Sequence, residues 1–306
     1  MTIWLVLTRS VHFGACLILF GMCFFDRFTA SSVTGSRIYA NLRDRISLIS
    51  WVLLPLIFVS GIAWFALVAM TMSGQPLDTG ILNIVWTQTQ FGAVWKLRLA
   101  FLAVTVVLSF FQRSPAPVRE FAVWVQTLAS ACLLGSLAWA GHGQETSRWH
   151  LLADVLHLLA AGIWPAGLLP LFLLLRAARR IAGPEDWLSV SVLVNRFSAI
   201  SLTTVSLLAL TGAVNAWFLV GSFSNFVEHP YGRWLLAKMT MFCAVLVVAG
   251  FNLLWLKPRL VASRGQPDQA NATVAQLQKN VQFELALGSG IIAIVAVLGV
   301  LPPAIQ

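Results

Sequence analysis

The sequence predicts an all-α polytopic membrane protein with about eight transmembrane helices. The chain has 306 residues, of which 58% are hydrophobic and only 10% are charged, and its mean hydropathy is +0.83. Soluble domains of similar size carry about 25% charged residues. Apolar runs of about 20 residues recur along the chain, and a helix of that length can cross the hydrocarbon core. We therefore expect a single integral membrane domain over residues 1–306.

The apolar runs place the predicted helices. The first run has no basic residue before its apolar core and no small-x-small cleavage site, so it predicts an uncleaved helix rather than a signal peptide. Each later run is bounded by polar or basic residues. No polar segment is long enough to fold as a separate globular domain. The eight predicted spans cover about residues 4–25, 48–71, 94–111, 121–141, 151–175, 197–220, 234–256 and 283–301.

The formal net charge of +9 predicts how the chain is oriented in the lipid bilayer. Most arginines and lysines fall between predicted spans 1 and 2, 3 and 4, 5 and 6, and 7 and 8. The opposite loops contain only Arg148 and Arg233. Because basic loops stay in the cytoplasm, both termini are predicted to lie outside it. This distribution explains the charge by topology, and no nucleic-acid partner is expected.

The second half of the chain resembles the first, which indicates two parallel four-helix repeats over about residues 1–145 and 146–306. An even number of helices per unit gives both copies the same polarity, so the repeats would be related by an axis along the membrane normal. Chance resemblance between apolar helices is the alternative explanation. The matched positions favour duplication: His12 and His157, Ser60 and Thr211, Gly61 and Gly212, and Arg98 and Lys238.

All five histidines fall on one predicted side of the membrane. His142, His150 and His229 lie in short loops or at helix edges, whereas His12 and His157 lie about two turns inside apolar helices. A histidine in hydrocarbon is costly and usually marks an ion, proton or cofactor site. Neutral imidazole is also the commonest protein ligand for transition metals. The pattern therefore predicts a membrane protein that handles metal ions.

One segment combines several of these groups. His150, Asp154 and His157 have the spacing i, i+4, i+7 and share one helical face. His157 would lie roughly 10 Å below His150, which is too far for one ion and favours two sites or an outer site followed by a deeper one. Asp154 could orient an imidazole, ligate the metal or form a salt bridge with Arg148 or a basic helix residue. His142, between glycines, could reach over the helix end.

The histidines also have structural interpretations without metal. His150 could be an interfacial residue with its ring tip among headgroups, an interpretation we weigh evenly with metal binding. His157 could form an interhelical hydrogen bond, although the matching His12 favours a ligand role. His229 is expected to be a solvated loop residue.

Four other sets of residues give weaker indications of a functional role: two methionines, three basic residues, the cysteines and one glutamate. Met70 and Met72 end the second span on the outer side, where thioethers suit a soft ion such as Cu(I). The basic residues that start the third and seventh spans are expected to snorkel outward, with pairing to Asp154 as the alternative. The scattered cysteines are expected to pack as small hydrophobes. Glu284 is the main acidic group at the predicted cytoplasmic side. The basic residues are Lys96, Arg98 and Lys238, and the cysteines are Cys16, Cys23, Cys132 and Cys243.

The chain resembles the copper resistance protein D family of bacterial inner-membrane proteins. The segment 154–168 resembles the family's helix histidine followed by small residues, a tryptophan and a Gly-Leu step. Pro165 departs from the family, which commonly has a small residue there. The CopD-like core is expected over about 150–260. Further matching segments are Arg196-Phe197-Ser198, Thr211-Gly212-Ala213-Val214-Asn215-Ala216, Tyr231-Gly232-Arg233 and Lys238.

The resemblance implies copper homeostasis in the bacterial inner membrane, with both termini periplasmic. It implies movement of copper ions from the periplasm towards the cytoplasm, alongside a periplasmic copper-binding protein. No phosphate loop, Rossmann fingerprint or catalytic triad occurs, so an enzyme is not expected and any transport would be secondary or facilitated. The predicted copper ligands are His12, His142, His150, His157, Asp154, Met70 and Met72.

Two alternative functions stay open from the sequence. A haem- or quinone-linked redox protein could use His12 and His157 as a pair across the repeat interface, since two imidazoles can hold a haem iron. A membrane anchor or sensor could dock a periplasmic copper protein through the loop that contains His142. Copper transfer ranks first, redox chemistry second and docking third.

Overall fold

The computed structural model describes residues 2–30, 35–140, 147–181, 183, 186–263 and 266–305, and nearly all of them are helical. Among these described residues, eight helical segments are long and apolar enough to cross a membrane, which confirms the predicted all-α polytopic fold. The α-helices among these residues are α1 (Thr2–Phe24), α2 (Arg37–Ser73), α3 (Thr79–Gln88), α4 (Gln90–Ser109), α5 (Ala116–Gly135), α6 (Arg148–Ile163), α7 (Leu168–Ile181), α8 (Asp186–Val220), α9 (Asn225–Glu228), α10 (Pro230–Phe251), α11 (Lys257–Ala262) and α12 (Pro267–Leu298).

Several helices extend well beyond the predicted spans. α2 has 37 residues, α8 has 35 and α12 has 32. A helix of 37 residues is roughly 55 Å long, whereas the hydrocarbon core is about 30 Å thick. The segments 37–47, 186–196 and 267–282, which the sequence analysis placed in loops, are therefore helical extensions. Those boundaries were wrong because hydropathy measures the apolar length of a helix and not its hydrogen-bonded length.

The fifth span is a broken helix. α6 ends at Ile163, residues Trp164–Gly167 form a turn, and α7 begins at Leu168. Pro165 has no backbone N–H and cannot continue the helical ladder. The Ala166 amide instead donates to the Ala161 carbonyl at 3.1 Å, a wider turn than that of an α-helix. Pro165 thus lies within the break between α6 and α7.

α1 lies at the centre of the bundle and packs against α2, α5, α6 and α12. Its closest approach to α6 is at Gly21, where an added Cβ would lie 2.7 Å from the Gly162 carbonyl oxygen and 2.9 Å from the Ala166 Cβ. Small residues let membrane helices approach to backbone contact. α1 therefore joins the first half of the chain to the second.

The two halves share a further local feature. A short helix precedes a long one in each: α3 precedes α4, and α9 precedes α10. Gly92 in α4 packs against the α3 backbone at Val85 and Trp86, and Gly232 in α10 packs against the α9 backbone at Asn225 and Phe226. Any side chain at either glycine would collide with main-chain atoms. The predicted duplication is consistent with this arrangement and stays a prediction.

Candidate metal sites

His12 lies in the middle of α1 and is only 1% exposed. Its Nδ1 is 3.0 Å from Ser60 Oγ on α2. The Ser60 hydroxyl donates its own hydrogen to the Leu56 carbonyl at 2.6 Å, so its oxygen is left to accept from the imidazole. We therefore assign the Nδ1–H tautomer, which leaves the Nε2 lone pair available to a cation or donor.

The His12 Nε2 atom faces a guanidinium group. Arg98 Nη2 lies 2.5 Å from it, and Arg98 Nη1 donates to the Leu133 carbonyl at 3.1 Å and to Ser136 Oγ at 2.6 Å. Cys16 Sγ is 3.8 Å from the same Nε2 atom and 4.0 Å from Arg98 Nη2. One imidazole nitrogen, one thiol and one guanidinium thus meet at a single point inside the bundle.

This position of Arg98 corrects the prediction that it snorkels outward. Arg98 is 3% exposed, because its side chain turns from α4 towards α1 and the end of α5. The Leu133 carbonyl and the Ser136 hydroxyl supply acceptors there that an apolar interior would lack. Lys96, two residues earlier, is exposed and lies over the Trp86 ring at 5.5 Å, as a snorkelling residue would. The difference is the direction in which each residue faces around the helix.

Aromatic rings enclose the His12 site. The Trp64 and Trp95 ring centroids lie 5.4 and 5.8 Å from that of His12, and Arg98 lies 5.1 Å from the Trp95 centroid. A Cβ at Gly61 would lie 3.2 Å from His12 Cε1, so the glycine makes room for the imidazole. The surrounding rings exclude water and strengthen electrostatic interactions at Nε2.

His157 on α6 repeats the arrangement in the second half. Its Nδ1 is 3.0 Å from Thr211 Oγ1, whose hydroxyl donates to the Leu207 carbonyl at 2.7 Å. Its Nε2 faces Lys238 Nζ at 3.5 Å. The tautomer is therefore the same, and the Nε2 lone pair again points at a cation. His157 is half-buried, so this site is less enclosed than that of His12.

Asp154 lies one turn before His157 and belongs to the same group of side chains. Its Oδ1 accepts from Asn215 Nδ2 at 3.3 Å, and it lies within electrostatic range of Lys238. Among the partners proposed from sequence, the basic helix residue is thus the one near it. Lys238 thus contacts the Nε2 atom of His157 and interacts electrostatically with Asp154.

Comparison with known proteins identifies the family to which this chain belongs. A family model described as "Copper resistance protein D-like, N-terminal domain" matches residues 1–150, and one described as "Copper resistance protein D" matches residues 191–298. A "Copper resistance protein D" from Pseudomonas syringae pv. tomato is 31% identical over 233 residues, which cover 72% of this chain and 71% of that protein. The chain belongs to the copper resistance protein D family.

Two further relatives are similar to this family member. "Inner membrane protein YebZ" from Escherichia coli (strain K12) is 26% identical over 98% of both chains. "Copper transport protein CutJ" from Bacillus subtilis (strain 168) is 29% identical over 59% of this chain and 34% of that protein. No solved structure matches. The family and the eight apolar helices identify a multi-pass inner-membrane protein of copper homeostasis.

The other predicted ligands of this copper resistance protein D family member occupy varied positions. His150 is 1% exposed and its ring stacks on Phe218 with centroids 5.0 Å apart, so it is not in the headgroups. Met70 is half-buried and Met72 is 58% exposed at the end of α2. His229, which was expected to be a solvated loop residue and not a ligand, caps α10 by accepting from the Tyr231 amide at 3.2 Å. His142 lies outside the described residues.

The structure forms two separate histidine groups. Within the described residues, no hydrogen bond or ring contact joins His12 to His157, and no three His, Cys, Asp or Glu side chains converge to hold a metal. Each Nε2 atom faces a cation of its own half of the chain. The haem hypothesis, which needs both imidazoles on one iron, stays a prediction without support from this geometry.

Sequence reasoning missed three contributors to these groups. Cys16 was expected only to pack, although the spacing of four residues from His12 places both on one helical face. The hydroxyls of Ser60 and Thr211 were noticed only as matched positions. Each immediately precedes a glycine that lies beside the ring, and this Ser/Thr-Gly pair is the signal that could have identified them.

Proposed function

We propose that this protein carries copper ions from the periplasm across the inner membrane through two sites, one at His12 and one at His157. The observation that carries the proposal is the shared contact pattern of the two imidazoles. Each places its Nδ1 atom against a hydroxyl and its Nε2 atom against a side-chain cation. An arginine or lysine stands where a metal ion would bind.

At the first site copper exchanges with the guanidinium. Cys16 Sγ and His12 Nε2 lie 3.8 Å apart, and thiolate with imidazole is a donor pair that suits Cu(I), the thiol proton being released when the Cu–S bond forms. Arg98 swings its Nη2 away while Nη1 keeps its bonds to the Leu133 carbonyl and Ser136. In the absence of copper the guanidinium satisfies the lone pair, so the buried imidazole is never left without a partner.

At the second site the displaced cation has an acceptor close by. When copper takes the Nε2 atom of His157, Lys238 moves towards Asp154, which already lies within its electrostatic range. The approach of the ammonium to the carboxylate lowers the repulsion between Lys238 and the bound ion. Lys238 and Asp154 together are neutral, so the copper ion adds its own charge to a neutral pair rather than to an isolated ammonium.

Two sites of few donors suit transport better than one closed site. Conduction needs binding strong enough for capture and weak enough for release, which several modest sites in series provide. His142, His150, Met70 and Met72 are candidates for collecting ions on the periplasmic side, where a periplasmic copper-binding protein would deliver them. The distribution of basic residues supports this orientation.

The test is copper uptake into proteoliposomes that contain the Cu(I) indicator bathocuproine disulfonate. Uptake of external Cu(I) should colour the lumen with wild-type protein and fail with His12→Ala and His157→Ala. His229→Asn is the matched control, because asparagine can keep the cap of α10. Wild-type rates in both alanine variants, with normal reconstitution, would refute the proposal.

The same purified protein tests the redox alternative. A Soret band that disappears in both alanine variants would favour haem over copper transfer. Copper uptake by protein that has no Soret band would support the transport proposal over the redox alternative.

A further inference from the structure

A small cavity lies between the turn that separates α6 from α7, the helices α8 and α12, and the segment that follows α10. Its volume is about 70 Å³, more than the roughly 10–15 Å³ that one water molecule needs, so a few waters or a small cation fit. It lies apart from both histidine groups. The polar side chains that line it are Ser198, Ser201, Asn252, Lys257 and Glu284.

Glu284 on α12 is the acidic group of this cavity and is only 2% exposed. Its Oε1 accepts from Asn252 Nδ2 at 2.7 Å, and Asn252 Oδ1 accepts from Asn280 Nδ2 at 2.6 Å. Its hydrogen-bond partner is thus neutral, and no ion pair involves Glu284 in the part of the chain that the structure describes. The charged group that shares the cavity is Lys257, which is half-buried at the start of α11.

The backbone around the cavity is irregular on two sides. Asn252 begins a π-helical segment, Asn252–Leu256, and π-bulges occur frequently at functional sites. Across the cavity, Trp164 and Leu168 flank the break in the fifth span. Non-helical backbone at membrane depth is tolerated where it is buried in protein or lines a cavity. The π-helical segment and the break in the fifth span therefore both line this cavity.

The cavity lies deeper than the two histidines as seen from the N-terminal end of α1. Gly14 on α1 faces Ile292 on α12, so His12 is close to the level of residue 292, and Glu284 is eight residues further along, or roughly 12 Å. On α6, His157 precedes Trp164 by seven residues, or roughly 10 Å. Both measures place Glu284 about one-third of the hydrocarbon thickness beyond the histidine level.

We propose that this cavity is a further cation site, distinct from the two histidine sites, at which Glu284 binds a hard monovalent cation, a proton or Na⁺. A carboxylate without a cationic partner in the bilayer is costly and usually marks an ion or proton pathway. The lining donors are carboxylate, amide and hydroxyl oxygens, which suit hard cations, whereas Cu(I) prefers sulfur and imidazole. The cation exchanges through the cavity as copper moves past the histidine sites, a coupling that depends on the proposed function.

Cation binding is tested first without copper. Infrared spectra of purified wild-type protein in Na⁺-free buffer should contain a protonated-carboxyl band that is lost in Glu284→Gln and restored, with a shift, in Glu284→Asp. If Na⁺ is the ligand, adding NaCl should instead change a carboxylate band that Glu284→Gln lacks. Glu228→Gln, at an exposed glutamate of α9, is the matched control and should leave both bands unchanged. Thermal unfolding verifies that the variants fold.

Coupling is then measured in the copper-uptake proteoliposomes. An imposed pH gradient or Na⁺ gradient should accelerate wild-type uptake, and this acceleration should be lost in Glu284→Gln while copper uptake without a gradient persists. Lys257→Met should keep the acceleration; its loss there would assign the response to a Glu284–Lys257 pair and overturn the proposal. Wild-type spectra and wild-type acceleration in Glu284→Gln would also overturn it. Absent copper uptake in wild type would reject the transport function, and the spectra would still decide whether Glu284 binds a cation.

Discussion

Arg98 Nη2 lies 2.5 Å from His12 Nε2 in the interior of the bundle. Under the proposed function, copper would have to displace this guanidinium from the imidazole. His157 and Lys238 have the same relationship at 3.5 Å. The two halves of the protein thus pair each intramembrane histidine with a cation.

Replacing the competing cation should tighten copper binding. Two unit charges about 4 Å apart repel by about 4 kcal/mol at an effective dielectric constant of about 20. Arg98→Leu, which removes the guanidinium without adding a metal ligand, should therefore raise the Cu(I) affinity of the His12 site by up to about a thousandfold and slow copper release. Competition with a Cu(I) chelator measures the affinity. Arg113→Leu, at an exposed arginine, is the control, and equal affinities in all three proteins would show that Arg98 does not compete.

Removing the Ser60 hydroxyl, which accepts from His12 Nδ1–H, should weaken copper binding at Nε2, the other nitrogen of the same ring. Ser60→Ala deletes the partner of His12 Nδ1–H, which holds the tautomer and orients the ring. Loss of such a supporting hydrogen bond typically lowers metal affinity by about 10–100-fold, and we expect a stability loss of about 1 kcal/mol. Chelator competition and thermal unfolding in detergent measure the two effects. Ser206→Ala removes an exposed helical hydroxyl and should change neither; an equal response in both variants would contradict the assignment.

The thiol of Cys16 should contribute sulfur to bound Cu(I). Cys16 Sγ is 3.8 Å from His12 Nε2, within the reach of one ion that bridges the two donors. X-ray absorption of copper-loaded protein should contain a Cu–S contribution that Cys16→Ala reduces and Cys243→Ala, at an exposed cysteine, retains. Unchanged sulfur scattering in Cys16→Ala would transfer the role to thioethers or another cysteine.

Asp154 should affect the rate of transport more than the number of bound ions. If it receives Lys238 when copper binds His157, Asp154→Asn removes the charge that draws the ammonium away. Uptake in proteoliposomes should slow, whereas copper bound at saturation should stay the same. Asp78→Asn is the control, because asparagine can keep the cap of α3. Loss of one bound ion in Asp154→Asn would instead make Asp154 a direct ligand.

The crossing of α1 and α6 should be intolerant of any added side-chain atom. A Cβ at Gly21 would lie 2.7 Å from the Gly162 carbonyl oxygen, and backbone cannot move aside as a flexible side chain can. Gly21→Ala should therefore destabilise the protein by about 1–3 kcal/mol, as overpacking does. Gly288→Ala meets nothing within 4 Å and should be neutral or stabilising by up to about 1 kcal/mol. Similar thermal unfolding of the two variants would contradict this account of the crossing.

The helical architecture was largely predictable, and its errors have common causes. Eight apolar runs predicted eight spans, because the bilayer selects helices by apolar length. The helical extensions at 37–47 and 267–282 were missed, since polar helix ends carry no apolar signal. In the sequence, only Pro165 indicated the break at Trp164–Gly167. The wider turn there depends on a backbone hydrogen bond from Ala166 to Ala161, which cannot be predicted from composition.

The sequence by itself determined the membrane class, the number of spans and the histidines most costly to place in lipid, because these follow from apolar length and from the chemistry of single side chains. Only the tertiary structure decided what each histidine faces. Hydropathy gives the depth of a residue along its helix, but the rotation of the helix about its axis is set by packing. That rotation brought Arg98 inward to His12, placed Cys16 beside it, and enclosed Glu284 against Asn252.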